Sequence, residues 1–524
     1  WGADARLALL REIGRLAGAD DLPEMLTDVL EPMAEGGEVG QAAAAVITQA
    51  LRDVPAGDYP ALAAAARRIS EWAGYGHPWL DMTPKQLLRR APAGAARVAY
   101  VGIASFHPNG HVREAAVRQL AQVGEDALLF LLPRLNDWVV EVRAVAEPAV
   151  AALLAPASAP AWAEVLPLVA GLEGQGRHAM PTLAAQVAEL LADQPELLRS
   201  ALSASDREVR RAAHRLALGA GKGAASLAVR VAAGLDAVGT AATRDTVVRL
   251  QAARAIREGR VSDPEAEAAL LSDPSAGVRR EVLLGRIHRG DDPGPVLRDA
   301  LIDSSGSIRE IARFFLQKRL GGSFAPAQVA RDALRQRGTL SATEVRGALR
   351  ALAETGTAED APLAEGALSD HRPTVRAAAL RALARLDPAQ AAAHVRSALD
   401  HESPAVARAA LRLAVDDAIL PGIDPERIID DALASDGPLR REAFRILRGW
   451  PVWWRLAPLL RLAAARWRPE SVQTALWSTL ASIERRVFTS PGRDDVAAIR
   501  HALVAAPPDI AERVRAAIGS KLDG

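Results

Sequence analysis

His107 and His111 stand four residues apart, the spacing that sets two imidazoles on one face of a helix to hold a metal ion. Pro108 and Gly110 place the pair in a turn instead, and no Glu follows His107 as the zinc-hydrolase pattern requires. Gly219-Ala220-Gly221-Lys222-Gly223 resembles a phosphate loop in outline only. It lacks the first Gly of the full pattern and the Ser or Thr after Lys, and it joins helices rather than following a strand, so a turn is the expectation. Asp245, Glu344 and similar acids recur on helix surfaces without a paired base, and the chain has no cysteine, which removes thiolate metal sites, disulfides and Cys nucleophiles. No catalytic residue, metal ligand or cofactor is therefore expected. Enzyme activity stays an open question, with the non-enzymatic reading ahead.

The residues that could do binding chemistry are arginines and tryptophans. A Val-Arg or Ile-Arg pair returns along the chain, often with the Arg six residues after an aspartate: Asp137 with Arg143, Asp273 with Arg279, Asp303 with Arg309 and Asp370 with Arg376. Five residues after the marked position a further Arg follows at Arg118, Arg215, Arg254, Arg381, Arg412 and Arg445, and after four at Arg313 and Arg350. Five helical positions turn a side chain by about 140°, so this second row faces another direction and could offer positive charge to an acidic strand, a tail or a nucleic-acid backbone. The alternative is ordinary solvated Arg paired with nearby acids.

Near the C-terminus Leu439 to Glu470 carries eight Arg against Glu442 and Glu470, and Trp450, Trp453, Trp454, Trp467 and, just beyond, Trp477 crowd the same region. Arg with Trp suits a protein hot spot or phosphate contact with base stacking. It equally suits a terminal cap in which Trp seals the last helices. The expected partner-binding residues are the second Arg row with Trp450, Trp453, Trp454, Arg455 and Trp467. The opposite end, Ala17 to Gly37, is acidic, with Asp20, Asp21, Glu24, Asp28, Glu31 and Glu35 and no base.

Helical repeats must position these side chains. The marked residues are Arg113, Arg143, Arg210, Arg249, Arg279, Arg309, Arg346, Arg376, Ala407 and Arg440, at steps of 30, 67, 39, 30, 30, 37, 30, 31 and 33. The long step holds a degenerate unit around Arg177. Such a period is the signature of a repeat array. In Thr374 to Leu386, apolar Val375, Ala378, Ala379, Ala382, Leu383 and Leu386 fall on one face of a 3.6-residue helix. Thr357 to Asp360 has the form of a capping box before a second stripe, and Ser403-Pro404 opens the next helix. Neither helix of a pair hides its apolar face alone, so pairs must stack.

These residues resemble the HEAT-repeat family of armadillo-like proteins, over roughly Arg97 to Leu447. The resemblance implies an all-α, right-handed α-solenoid of stacked antiparallel helix pairs, with Asp in the turn and Arg at the start of the second helix forming a ladder between neighbours. His107 in the place of Asp and Ala407 in the place of Arg depart from that pattern. It also brings in the HEAT-like alkylpurine DNA glycosylases, which use Trp and Asp against a damaged nucleotide; Asp137-Trp138 is the nearest match, although Asp137 already has the ladder role. A HEAT-like bilin lyase shares only the repeat. The expected organisation is atypical helical repeats over residues 1–96 with an insertion near 74–94, the repeat array over 97–447 and a Trp/Arg-rich helical cap over 448–524.

Hydrophobic residues make up 49% of the 524-residue chain and aromatic residues only 4%, as suits helices packed through small side chains. The 64 basic and 64 acidic residues balance, so no overall field steers nucleic acid or a membrane surface to the protein. Only Lys85, Lys222, Lys318 and Lys521 are lysines, which fits a GC-rich, bacterial genome. The greasiest stretch, Pro148 to Leu172, contains Glu164 and several prolines, so no membrane span is expected. The reading at this level is a cytoplasmic, non-enzymatic scaffold whose partner is another protein, with no small-molecule substrate. The alternative is a nucleic-acid-binding solenoid, with glycosylase-like activity the remotest reading.

Overall fold

The computed structural model describes residues 3–16, 22–72, 76–173, 175–177, 180–236, 241–289, 294–321, 324–401, 403–416, 420–435, 438–485 and 490–522. Every regular element among these residues is a helix, and no strand occurs among them. The fold is the expected all-α stack of helix pairs. By contact the chain forms two compact units, Trp1–Asp291 and Asp292–Gly524.

In the first unit Thr246–Arg257 packs against Ala276–Arg289, second helix on second helix of successive pairs. The second unit repeats this, with Pro373–Leu386 between Ala342–Thr355 and Pro404–Asp416. Pro373–Leu386 buries the six expected apolar residues and also Ala377, Leu380 and Ala384. A single amphipathic stripe covers one side of a helix; a helix with a neighbour on each flank must be apolar on both. Each fully buried Leu or Val adds about 1.5–3 kcal/mol relative to exposure, and the alanines let the helices approach. Gly347 shows how close: a Cβ there would stand 1.7 Å from the Ile302 carbonyl oxygen.

The Asp-to-Arg spacing has a concrete meaning in the turns. The aspartate accepts the N–H two residues on, as in Asp137 to Val139 (3.0 Å), Asp273 to Ser275 (2.7 Å), Asp303 to Ser305 (2.7 Å) and Asp370 to Arg372 (2.9 Å). The arginine reaches back six residues and donates to the carbonyl at the end of the preceding helix, as in Arg279 to Asp273 (2.6 Å), Arg309 to Asp303 (2.6 Å), Arg376 to Asp370 (3.0 Å) and Arg143 to Asp137. One side chain thus satisfies an orphan donor of the second helix and the other an orphan acceptor of the first. His107 fills the aspartate's place: its Nδ1 accepts the Asn109 N–H at 2.9 Å, and Arg113 donates to its carbonyl at 2.9 Å.

Rungs between neighbouring repeats run from an arginine to the aspartate of the next turn, Arg113 to Asp137 (2.8 and 2.9 Å) and Arg249 to Asp273 (2.6 Å). Arg309 is instead held by Glu354, which also takes Arg313 at 2.5 Å.

Of the expected insertion, Gly74 and Tyr75 lie outside the described residues. The rest is built in. Trp79 is fully buried and its carbonyl accepts His107 Nε2 at 2.6 Å, and Thr83 and Gln86 cap the helix Pro84–Arg90 reciprocally. Asp20 and Asp21 of the acidic N-terminal stretch also lie outside the described residues, while Glu35 pairs with Arg6 at 2.5 Å. No single described helix is long and apolar enough to cross a membrane; Val140–Ala151 and Pro156–Glu164 reach that composition only together, across a 96° bend.

Candidate partner-binding site

Around the C-terminal tryptophans the second unit has an open pocket of about 450 Å³. The helix Val452–Ala464 supplies one wall: Trp454, Ala457, Pro458 and Arg461 follow at offsets of 0, 3, 4 and 7, one helical face, with Trp453 beside them. Trp450, in the turn just before that helix, meets Trp454 edge to face with ring centroids 6.2 Å apart. Glu426 and Asp430, one turn apart on Pro425–Ala434, form the second wall. Arg493, Asp494 and Asp495, at the start of Arg493–Ala505, form the third.

The charge of this pocket is the reverse of what the local sequence implies. Among the described residues that line it, four carboxylates, Glu426, Asp430, Asp494 and Asp495, face two guanidinium groups, Arg461 and Arg493. Arg461 bonds to Asp430. Burial, and then the charges of Asp424, Asp495, Asp430 and Asp494, push the Glu426 carboxyl above its usual range, the mark of negative charge in excess. Trp454 is 48% exposed, and Trp453 is 6% exposed with an Nε1–H that has no acceptor among the described residues. A cation already uses the other aromatic surface here, with Lys521 Nζ 5.6 Å from the Trp453 ring centroid.

Three other arginines of the stretch are engaged elsewhere. Arg440 donates to the Leu433 and Ala434 carbonyls, Arg445 to Glu442, and Arg455 to the Arg448 carbonyl at 2.6 Å. Trp467 does not line the pocket. It packs edge-on against Phe444 at 5.2 Å with Arg468 over its ring, in a turn where Arg466 and Arg468 hold φ of 51° and 40°.

The second Arg row has two characters. In the first unit Arg118, Arg215 and Arg254 are exposed beside carboxylates, Glu114 at 2.5 Å, Glu173 at 3.8 Å and Glu281 at 3.7 Å. In the second unit Arg350, Arg381 and Arg412 come from successive second helices and lie close enough to feel one another. Burial, then Arg412 and Arg350, hold the Arg381 guanidinium below its ordinary range. Arg412 and Arg445 share Glu442, Arg412 at 2.6 Å.

No group of three or more potential metal ligands occurs among the described residues. His107 is spent on Trp79 and Asn109, and Gly221 and Lys222 open the helix Lys222–Ala232.

A family model described as HEAT repeats matches residues 332–416. No curated protein matches the chain. Among solved structures, a Kap121p mutant is similar at 12% identity and a TM-score of 0.39, over 95% of this chain and 64% of that one, so this chain spans less than two thirds of it. An engineered protein is similar at 16% identity and a TM-score of 0.19, over 82% and 99%. Microtubule polymerases with TOG domain arrays, described for tubulin recruitment and assembly, are similar at 12% identity and a TM-score of 0.17, over 99% and 98%. At these TM-scores the structural likenesses carry no argument about this chain. The family match shows HEAT repeats over residues 332–416, and the same turn and arginine bond recur in both units of the all-α helical-repeat fold.

Proposed function

We propose that the chain is a non-enzymatic scaffold that binds another protein, and that the C-terminal tryptophan pocket receives a basic side chain of that partner. The observation that carries this reading is the union of Trp450, Trp453 and Trp454 with four carboxylates in one open pocket. Aromatic faces attract cations and carboxylates neutralise them.

The test is fluorescence anisotropy of a labelled lysine octapeptide against the full chain, with a glutamate octapeptide as control. The lysine peptide should bind saturably, and Trp454→Ala should weaken it roughly tenfold. An unchanged affinity in Trp454→Ala, or equal binding of the glutamate peptide, would overturn the proposal.

Nucleic-acid binding is the second reading, supported by the row Arg350, Arg381 and Arg412. Its mark would be a labelled single strand that binds at low salt, releases steeply as salt rises, and is lost in Arg381→Gln.

A further inference from the structure

The first unit holds a smaller pocket of 270 Å³, remote in sequence from the tryptophan end. Three elements line it: Gly57 to Arg67, which includes the start of Tyr59–Trp72; the turn Leu132 to Trp138; and Pro167 to Leu172 with Gln175. Three guanidinium groups gather at its base. Arg113 and Asp137, both with fully buried side chains, form a two-point pair, and Arg134, 3% exposed, donates to the same carboxylate at 2.8 Å. Arg67 and Arg113 both lie over the half-exposed Trp138 ring, 5.2 and 4.0 Å from its centroid. Asp137 is the only acid among the described residues lining the pocket.

Two polar atoms there are buried with no hydrogen-bond partner among the described residues: Arg134 Nε, a donor, and Asn136 Oδ1, an acceptor. Such atoms are costly when left unsatisfied, because burial strips their water without replacing it. Burial, opposed by Asp137 and reinforced by Arg67 and Arg113, holds the Arg134 guanidinium down to about 10. Local charge is positive in excess by two, three guanidinium groups against one carboxylate. Pro60, Leu168 and Leu172 supply apolar wall.

From this geometry we infer a binding site for a small organic acid: one oxyanion, carboxylate or phosphate, directed at Arg67 and Arg134, on a compact apolar body. A hydroxyl or amine of the ligand would donate to Asn136 Oδ1. The volume, 270 Å³, falls just below the range of small-molecule sites, which begins at about 300 Å³, so the ligand is small. This inference is independent of the protein-binding proposal, which concerns the other unit.

The experiment titrates the full chain by calorimetry with four ring compounds of similar shape: benzoate, phenyl phosphate, neutral benzyl alcohol and cationic benzamidine. At least one oxyanion should bind about tenfold or more tighter than benzyl alcohol, with benzamidine weakest; the benzoate to phenyl phosphate ratio tells which oxyanion the site prefers. Arg67→Gln should reduce oxyanion affinity about tenfold, the scale of one charge-assisted contact. Gly171→Phe should do the same by filling the pocket with every charge in place, since nothing beyond its chain neighbours and its own helix backbone lies within 4 Å of where a Cβ would stand. The inference is overturned if neither oxyanion binds, if the neutral compound binds as well, or if both folded variants retain full oxyanion affinity.

Discussion

Asp137→Asn should be among the most damaging single substitutions in the first unit. The carboxylate accepts from Arg113 Nε at 2.9 Å and Nη2 at 2.8 Å, from Arg134 Nη1 at 2.8 Å, and from the Val139 N–H at 3.0 Å. Neither arginine can relax toward water, because Arg113 is 0% and Arg134 3% exposed. Asparagine keeps the volume and an oxygen for Val139, but turns an acceptor toward a donor and leaves two buried cations without their anion. Removing one partner of a buried pair costs about 3–5 kcal/mol, and the retained turn bond places the expected loss near 4 kcal/mol. Urea unfolding followed by circular dichroism measures it, with hydrogen exchange in residues 110–151 locating the loss. Burial raises the Asp137 carboxyl, but the Arg113 and Val139 hydrogen bonds and the charges of Arg134 and Arg113 outweigh it and hold the group below the usual range. Its folded value is therefore the lower one. The stabilisation is complete above the unfolded value of about 3.9 and is lost as pH falls through the folded value, so wild type and Asp137→Asn should converge in acid. A loss under about 1 kcal/mol at neutral pH, the size of an exposed pair, would refute the assignment of a buried charge network.

Three further outcomes follow from single positions. His214 is fully buried and bonds the Leu202 carbonyl at 3.1 Å, and burial, with Arg210 adding to it, holds its imidazole down to about 4. The folded value lies below the unfolded one, so stability present above pH 6.5 should fall by roughly 3 kcal/mol as pH drops to about 4, and His214→Met should flatten that part of a stability–pH curve. Gly347→Ala should destabilise the second unit by about 2–3 kcal/mol or more, read by urea unfolding, because the Ile302 carbonyl occupies the new methyl's place. Glu442→Gln should leave stability within about 1 kcal/mol, while freeing positive charge at Arg412 and Arg445, and should strengthen any binding of a labelled single strand at low salt.

The chain by itself determined the helices and their stacking, because each signal for them is local. The offsets of Val375, Ala378, Ala379, Ala382, Leu383 and Leu386 set a helical face, and six residues from Asp to Arg is the reach of one turn, whatever the rest of the protein does. Trp454, Ala457, Pro458 and Arg461 form one wall of the pocket because their offsets share a helical face. The sign of charge in front of that wall was decided only by tertiary structure. Leu439 to Glu470 reads as strongly basic, yet Arg440, Arg445 and Arg455 turn to carbonyls and Glu442, while Glu426, Asp430, Asp494 and Asp495 arrive from helices before and after it. Asp137 and Trp138 likewise read as one turn among many until folding brings Arg67 over the ring from some 70 residues away, a separation of 71 positions from Trp138. Backbone periodicity fixes what a residue does within its own repeat. Electrostatics sums over every charge nearby in space, and spatial neighbours from distant repeats leave no spacing in the sequence to read.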